Sequence, residues 1–412
     1  MKKRIILSLL TVSSLFADAE IDIIKEQLQA QKKATLALSA KLNSLEQKNT
    51  NQSASFSQNA YLPDMAFILN MSAVGRDVNN DEYSAYELPG FIDNPTNNPD
   101  NYPDLPFNAN RGFNFNYAEV ALHSVVDPYF EAFAIFHISP DTLEIEEAYV
   151  QTTSLPYSLR VKAGKFRSNF GRLNEKHQHI WNFDSQPLIY KGLFGPDMIS
   201  DAGVQLQWVA PTDTYIMLGA EAMQGSNERS FGDTSANNLY IAYAKSSVDV
   251  GDDLSVLGGL SYAHGKNYVN NITNPTDIYG IDLTFREQLG SYSALIWQSE
   301  FLQRNKELST QTDKQAGLYS ELVYQYNNNY SFGARYDLIT KNNTDLSAYG
   351  PVNIDNLDRY TAKLDYKPFP MSRLRLSYTY DRSKVIAGER RDINEVMLSL
   401  NIAAGAHGAH DY

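Results

Sequence analysis

Two histidines separated by one residue, His177 and His179, offer the clearest metal-binding chemistry in this sequence. In extended backbone, side chains at i and i+2 share a face, so both imidazoles can point at one ion. Zinc in proteins usually has four ligands, which leaves Glu175, Asp184 or water to complete the shell. A zinc site at His177 and His179 is therefore one hypothesis that the sequence raises. In the alternative interpretation, the two histidines hydrogen-bond their loop to the surrounding structure.

Ionised side chains recur at alternate positions of strand-like segments in two groups. If these side chains face one aqueous interior, the arginines and lysines favour anions, and opposed charged walls orient polar solutes. Alternatively, the charges form ion pairs with each other and only keep the interior hydrated. The basic candidates are Arg160, Lys162, Arg335, Arg359, Lys363, Arg373 and Arg375, and the acidic candidates are Glu119, Glu131 and Glu147.

Composition argues against several other classes of protein. The chain has no cysteine, so disulfides and cysteine-ligated metals are impossible. Its net charge of -13 and pI near 5.0 argue against a nucleic-acid partner, which needs a basic surface. No G-x-S-x-G nucleophile motif occurs, and we expect no enzymatic activity and no resident cofactor apart from the zinc hypothesis.

The N-terminus carries the pattern of a secretory signal peptide. A basic start at residues 2–4 precedes the apolar run 5–16, and Ala17-Asp18-Ala19 offers small residues for cleavage. We assign residues 1–19 to this signal; the alternative is an N-terminal membrane anchor, for which the apolar run is short.

Residues 20–48 show apolar side chains at alternating steps of three and four, the period of a coiled coil. So narrow a stripe is best buried against copies of itself, which predicts a homotrimer; a lone amphipathic stalk is the alternative. Residues 49–60 form a polar linker.

From residue 61 to residue 412, period-two alternation replaces the helical pattern. It predicts sixteen strands of roughly ten residues each, the length and pattern of a membrane-spanning β-barrel. We place these strands at 63–75, 112–126, 129–139, 143–154, 158–169, 202–210, 214–224, 238–249, 253–264, 276–287, 291–302, 315–327, 330–340, 357–367, 371–382 and 393–403.

The connections between these strands alternate in length. Tight turns such as 127–128 and 251–252 alternate with mostly longer links at 76–111, 170–201, 225–237, 265–275, 303–314, 341–356 and 383–392. Short turns on one rim, long loops on the other and an even strand number are typical of outer-membrane barrels. Both termini then lie in the periplasm. The link 170–201, which has no clean hydrophobic period, is expected to fold inward and narrow the barrel.

Strand 371–382 indicates which face meets lipid. Leu374 and Leu376 share one face, and Arg373 and Arg375 share the other. A basic side chain facing lipid at the bilayer midplane costs about 2–4 kcal/mol, so the basic face must line the interior. The inverse arrangement would give a soluble lipid-binding barrel, but sixteen strands enclose too wide a space to be filled by side chains.

Several of these features together resemble a known superfamily. The signal peptide, the coiled coil, the sixteen strands and Ala163-Gly164-Lys165-Phe166 leading into the long loop resemble outer-membrane porins that include the phosphate-selective porins. More narrowly, residues 164–166 and 170–174, then His177, His179 and Trp181, with the Gly-x-His-x-x-His ending, resemble proteobacterial outer-membrane proteins labelled zinc-regulated. The resemblance implies a trimeric channel in outer-membrane lipid with a constricting third loop.

The sequence thus predicts an all-β, 16-stranded antiparallel transmembrane barrel with a periplasmic coiled coil. Its expected function is passive diffusion of small hydrophilic solutes or ions, biased towards anions by Arg359, Lys363, Arg373 and Arg375. Metal capture at the cell surface through His177 and His179 is the leading alternative. A structural or adhesive barrel with a plugged pore is the third.

Overall fold

The computed structural model describes residues 63–84, 88–91, 107–140, 142–344, 357–386 and 389–405. The predicted signal peptide, coiled coil and linker, at 1–60, lie outside these ranges, and so do the C-terminal histidines at 407 and 410. Among the described residues, no helix is both long enough and apolar enough to cross a bilayer.

Sixteen antiparallel strands close into one barrel, in which each strand pairs with its neighbours in sequence and β16 pairs with β1. The predicted all-β, 16-stranded antiparallel architecture is confirmed. The strands are β1 (Asp64–Arg76), β2 (Gly112–Asp127), β3 (Phe130–Ile138), β4 (Leu143–Thr152), β5 (Leu159–Arg167), β6 (Ser200–Val209), β7 (Tyr215–Met223), β8 (Leu239–Val250), β9 (Leu254–Val269), β10 (Ile272–Gln288), β11 (Ala294–Glu307), β12 (Thr312–Gln325), β13 (Tyr330–Asn342), β14 (Asp358–Tyr366), β15 (Ser372–Ile386) and β16 (Glu389–Gly405).

The two rims of the barrel differ as expected, although three loops are shorter than the sequence indicates. Every even-numbered strand before β16 leads to the next strand through a short connection at one rim, here called the turn rim. At the opposite loop rim, the predicted loops 265–275, 303–314 and 383–392 are largely occupied by strands that continue past the apolar segment. The first becomes a two-residue hairpin in which Asn270 and Asn271 both have positive φ.

The faces of the strands are arranged with apolar side chains outward and polar side chains inward. On β15, Leu376 and Tyr378 are exposed, whereas Arg375 and Ser377, which alternate with them, are buried. This reverses the polarity of a water-soluble protein and matches the alternation of spanning barrels. A belt of exposed aromatic side chains lies near the turn rim, formed in part by Tyr324, Tyr326, Tyr330 and Phe332.

The space enclosed by the barrel, the lumen, contains the connection between β5 and β6. This connection, residues 168–199, is called the inner loop below; it includes a 3-10 turn, Gln178–Ile180, and a short helix, Leu188–Phe194. The other short helix, Asn80–Ser84, belongs to the connection between β1 and β2. Apolar side chains of the inner loop form a buried cluster with inward-facing wall residues such as Tyr243, Leu302 and Tyr319.

Candidate pore constriction and its charged walls

The inner loop is closed at its base by a buried asparagine. The amide of Asn174 donates to the carbonyl oxygens of Ser168 and Ile199, at 2.8 and 2.9 Å, and its oxygen accepts from the Ile199 N–H at 2.8 Å. The N–H of Ser168 also donates to the Ile199 carbonyl at 2.9 Å. These bonds join the two ends of the loop, so the segment between them projects into the lumen as one unit.

The apolar side of the inner loop fills the lumen next to the wall. Phe170, Trp181, Leu188, Ile189 and Tyr190 are all buried in the cluster. Burying a large apolar side chain contributes about 1.5–3 kcal/mol relative to leaving it exposed. A segment with this content is therefore held inside the barrel rather than in solvent.

One carboxylate of the loop, Asp184, is held by the wall of β15 and β16. Its Oδ1 accepts from Arg375 Nη1 at 3.0 Å, and Ser399 Oγ donates to its Oδ2 at 2.6 Å. Arg373 Nη2 lies 3.6 Å from Oδ1. The same Arg375 reaches Asp365, which also accepts from Lys363 Nζ at 2.8 Å. The loop is thus joined to the wall by buried ion pairs.

A second anchor lies on β13 and β14. Arg335 Nε and Arg359 Nε both donate to Asp337 Oδ2, at 3.0 and 3.2 Å. Arg335 Nη1 also donates to the Ser185 carbonyl at 2.6 Å, and the N–H of Leu188 donates to Asp337 Oδ1 at 3.1 Å. Asp337 is therefore neutralised by two arginines and at the same time holds loop backbone.

A third anchor lies on β11 and uses a glycine of the loop. Glu300 Oε2 accepts from Tyr190 Oη at 2.7 Å and from the Arg172 N–H at 2.8 Å. Gly171, with φ of 65°, approaches so closely that a Cβ there would meet both Tyr190 Oη and the Glu300 carboxylate. Only glycine fits this position without displacing the loop.

The remaining side of the inner loop carries charges that are not fully buried. Arg172 and Glu175 are partly exposed, with Nη1 to Oε1 at 3.7 Å, and Lys245 Nζ on β8 lies 3.4 Å from Glu175 Oε2. Partial burial and the charge of Arg172 lower the pKa of Lys176 to about 8. This mixed-charge face borders the part of the lumen that the apolar cluster does not fill.

In a fourth contact region, buried glutamates of β2 and β4 surround the two histidines of the inner loop. His177 Nδ1 lies 3.3 Å from Glu146 Oε2 and 3.7 Å from Glu119 Oε2, while its Nε2 lies 3.7 Å from Glu147 Oε2. His179 Nδ1 lies 3.4 Å from Glu119 Oε2. Burial alone would lower the pKa of His177, but the fields of Glu146 and Glu119 outweigh it and raise that pKa well above its ordinary value.

A β-bulge places two consecutive glutamates on the same side. The register pairs Ile135 with Glu147 but Phe136 with Ile145, so Glu146 is the extra residue. A bulge breaks the alternation of faces, and Glu146 therefore reaches inward beside Glu147. The pairing of β4 with β5 ends at Ala148 and Lys165, so both glutamates lie just beyond the last paired position.

The ten charged residues expected to line the interior all occupy inward-facing positions, but their environments differ. Arg335, Arg359, Lys363 and Arg375 are buried under the inner loop. Arg373 is half-buried beside Asp184, Arg160 is exposed, and Lys162 is half-buried with Nζ 4.6 Å from the centroid of the Tyr149 ring. Glu119 and Glu147 are buried near His177, and Glu131 accepts a hydrogen bond from Gln151 and lies beside His123.

The two acids named as partners for the histidines are engaged elsewhere. Glu175 interacts with Asn169 and Lys245, and Asp184 interacts with Arg375 and Ser399. The structure instead brings Glu119, Glu146 and Glu147 to the histidines. Sequence reasoning does not identify Glu146, because strict alternation from Glu147 places Glu146 on the outward face. It also does not identify the loop residues Arg172 and Lys176, because this part of the sequence has no clean hydrophobic period.

A curated relative shares most of the chain. An uncharacterized protein of Aquifex aeolicus (strain VF5) is 39% identical over 391 residues, which cover 88% of this chain and 82% of that protein. No family model matches the sequence.

Solved structures share the fold at low sequence identity. The anion-selective porin from Comamonas acidovorans is 10% identical, with a TM-score of 0.54 over 84% of this chain and 100% of its own. The outer membrane channel DcaP of Acinetobacter baumannii is also 10% identical, with a TM-score of 0.52 over 84% of this chain and 99% of its own. OmpT of Vibrio cholerae is 11% identical, with a TM-score of 0.51 over 84% of this chain and 98% of its own. This chain therefore belongs to one family with the Aquifex aeolicus protein, and its 16-stranded barrel has the fold of outer-membrane porins.

Proposed function

We propose that this protein is an outer-membrane porin through which small hydrophilic solutes and ions diffuse passively. The observation that carries the proposal is the reversed polarity of a closed barrel, with apolar side chains outside, ionised side chains inside and an inner loop that narrows the lumen. Such an exterior is compatible with acyl chains, and such an interior is compatible with water.

The proposed placement in the membrane follows from the two rims. In barrels of this type the short turns face the periplasm and the long loops face outward. The turn rim, with its aromatic belt, would then lie at the periplasmic interface. The predicted signal peptide agrees with export. A homotrimer remains our prediction from the heptad pattern at 20–48, and a structure of Vibrio cholerae OmpT described as a trimer form, with a TM-score of 0.50, supports a fold that can trimerise.

An anion bias is the finer part of the proposal. Five cations on β13, β14 and β15 share three carboxylates in direct ion pairs, namely Asp184, Asp337 and Asp365. The excess of positive charge gives that wall a positive potential. On the opposite side, Arg160 and Lys162 add accessible positive charge. The structural neighbour from Comamonas acidovorans is itself described as anion-selective.

Reconstitution in planar bilayers tests the function directly. A porin gives steady single-channel steps whose size rises with salt concentration, because the lumen is a water-filled path. A plugged structural or adhesive barrel gives no steps, and their absence from folded, correctly inserted protein would refute the proposal.

The reversal potential in a potassium chloride gradient tests the bias. We expect the sign of an anion-preferring channel, and a smaller potential in the double variant Arg160→Gln, Lys162→Gln. The matched control is Lys314→Gln, which removes an exposed charge from the outward face of β12, between the inward-facing Asp313 and Gln315. Cation preference in the unaltered protein would overturn the assignment of selectivity while leaving the porin function intact.

A further inference from the structure

The acids and histidines between the inner loop and the β2 to β4 wall form a cluster that the porin function does not use. One ligand atom from each of Glu119, Glu146 and His177 lies within 4.8 Å of the other two, all three from separate segments of the chain. All three side chains are mostly or fully buried; Glu119 is only 2% exposed. Buried acids are costly unless paired or bound to a metal.

The distances in the cluster match a metal shell better than hydrogen bonds. In a tetrahedral zinc site with bonds of about 2.0–2.1 Å, neighbouring ligand atoms are about 3.3–3.4 Å apart. His177 Nδ1 lies 3.3 Å from Glu146 Oε2 and 3.7 Å from Glu119 Oε2. Charge-assisted N–H···O hydrogen bonds are shorter, about 2.7–2.9 Å. The spacing therefore corresponds to two ligands beside a common ion.

A second observation concerns Glu119 alone. Its Oε1 is buried and, in the part of the chain that the structure describes, accepts no hydrogen bond. A buried carboxylate oxygen without a donor is costly, and such atoms usually indicate a water or an ion at that position. The cluster also borders a cavity of about 480 Å³, lined in part by Glu119, Glu146 and Arg167, which gives a cation a way in.

The surrounding groups have the arrangement of an outer shell. Glu147 Oε2 lies 3.7 Å from Nε2 of His177, too far for a hydrogen bond but on the side where a carboxylate orients an imidazole that ligates through Nδ1. Arg167 contacts Glu146, and its backbone N–H donates to Glu147 at 2.6 Å. When the histidines are neutral, the three glutamates and Arg167 together carry a net charge of −2. One divalent cation would neutralise this charge.

We propose that Glu119, Glu146 and His177 bind one divalent transition-metal cation, such as Zn²⁺, between the inner loop and the barrel wall. His179, with Nδ1 3.4 Å from Glu119 Oε2, lies beside this shell, and water completes the coordination. The cation joins β2, β4 and the inner loop in one shell, so it fixes the loop at a point separate from the Asp184 anchor on β15 and β16. This site does not require that the barrel conduct, and it holds whether or not the porin proposal does.

The test is a titration of the folded full-length protein in detergent with Zn²⁺ by calorimetry and with Co²⁺ by visible absorption. Because the C-terminal tail also carries histidines, all variants are made in a His407→Gln, His410→Gln background. We expect one site per chain, with Co²⁺ bands of a low-symmetry nitrogen and oxygen shell. Glu119→Gln, Glu146→Gln and His177→Gln should each weaken binding at least about 100-fold, and Glu147→Gln about 10–100-fold, as for outer-shell partners.

The matched control is His264→Gln, which removes an exposed histidine paired with a single acid, Asp277, at 2.9 Å. It should leave the affinity unchanged. Each variant is checked for folding by its β-sheet circular dichroism and by its conductance, which the proposal does not require to change. No binding at neutral pH to the parent background, or binding equally strong after Glu119→Gln and His177→Gln in folded protein, would overturn the site.

Discussion

At Asp184, a single loop carboxylate accepts hydrogen bonds from Arg375 and Ser399 and also faces Arg373. Alternation along β15 is enough to predict that both arginines face inward, because side-chain direction in a strand has period two. Which acid each arginine meets depends on how the inner loop folds, and alternation contains no such information. For the same reason alternation misplaces Glu146, since a single bulge on β4 changes its side.

Removing the Asp184 carboxylate should destabilise the barrel, because buried Arg375 and half-buried Arg373 then have less negative charge to neutralise them. We expect Asp184→Ala to lower the free energy of unfolding in urea by about 3–5 kcal/mol, the usual cost of breaking a buried ion pair. Asp213→Ala, at an exposed acid on the turn rim, is the control and should stay within about 0.5 kcal/mol. Equal losses in the two variants would show that Asp184 does not anchor the loop.

Lys176 makes the selectivity sensitive to pH. With a pKa lowered to about 8 by partial burial and by Arg172, its ammonium is mostly charged at pH 7 and mostly neutral at pH 9. Loss of a positive charge from the inner loop weakens attraction for anions. The reversal potential in a salt gradient should therefore shift towards cation preference between pH 7 and pH 9.

At pH 7, the Lys176→Met variant should have a weaker anion preference than the unaltered protein. Its reversal potential should also shift less between pH 7 and pH 9. Lys165→Met, an exposed lysine on the outward side of β5, is the matched control and should retain the full shift. An undiminished shift in Lys176→Met would assign the pH dependence to other groups.

Among the elements, the strands are far more predictable from sequence than the loops. Strand positions follow from alternation, but their ends at the loop rim do not, because β9, β10, β11, β12, β15 and β16 continue beyond the apolar belt. The inner loop is recognisable by its length and its lack of a period. Its route cannot be read from sequence, since it depends on long-range contacts with Glu300, Asp337 and the wall of β15.

Gly171 tests whether the inner loop needs its close approach to β11. Gly171→Ala adds a Cβ that meets Tyr190 Oη and the Glu300 carboxylate, and should displace the loop and change the conductance. Gly251→Ala is a matched control, because Gly251 has a similar φ of 70° but a Cβ added there would have no neighbouring atom within 4 Å.

Both glycine variants should lose about 1–2 kcal/mol of stability from the left-handed backbone conformation. Only Gly171→Ala should lose more and alter the single-channel conductance. Indistinguishable behaviour of the two variants would mean that the loop does not pack against Glu300.

For the whole molecule, the sequence is sufficient to predict the strand number, the antiparallel closure and the polarity of the two faces. These follow from repeating local patterns and from the cost of placing a charge in lipid. The ion pairs and hydrogen bonds beneath the inner loop are a property of the assembled barrel, since they join residues far apart in the chain, such as Asp184 and Ser399. The proposed porin function depends on an aqueous path that passes the inner loop.

Thiol modification at the constriction measures that path most directly, and the natural chain has no cysteine to interfere. Glu175→Cys places one thiol on the partly exposed side of the inner loop, and Leu376→Cys places one on the exposed apolar face of β15. When a bulky cationic methanethiosulfonate is added during single-channel recording, Glu175→Cys should show a stepwise, lasting fall in current and Leu376→Cys should show none. Unchanged current through fully modified Glu175→Cys channels would contradict a pore narrowed by this loop.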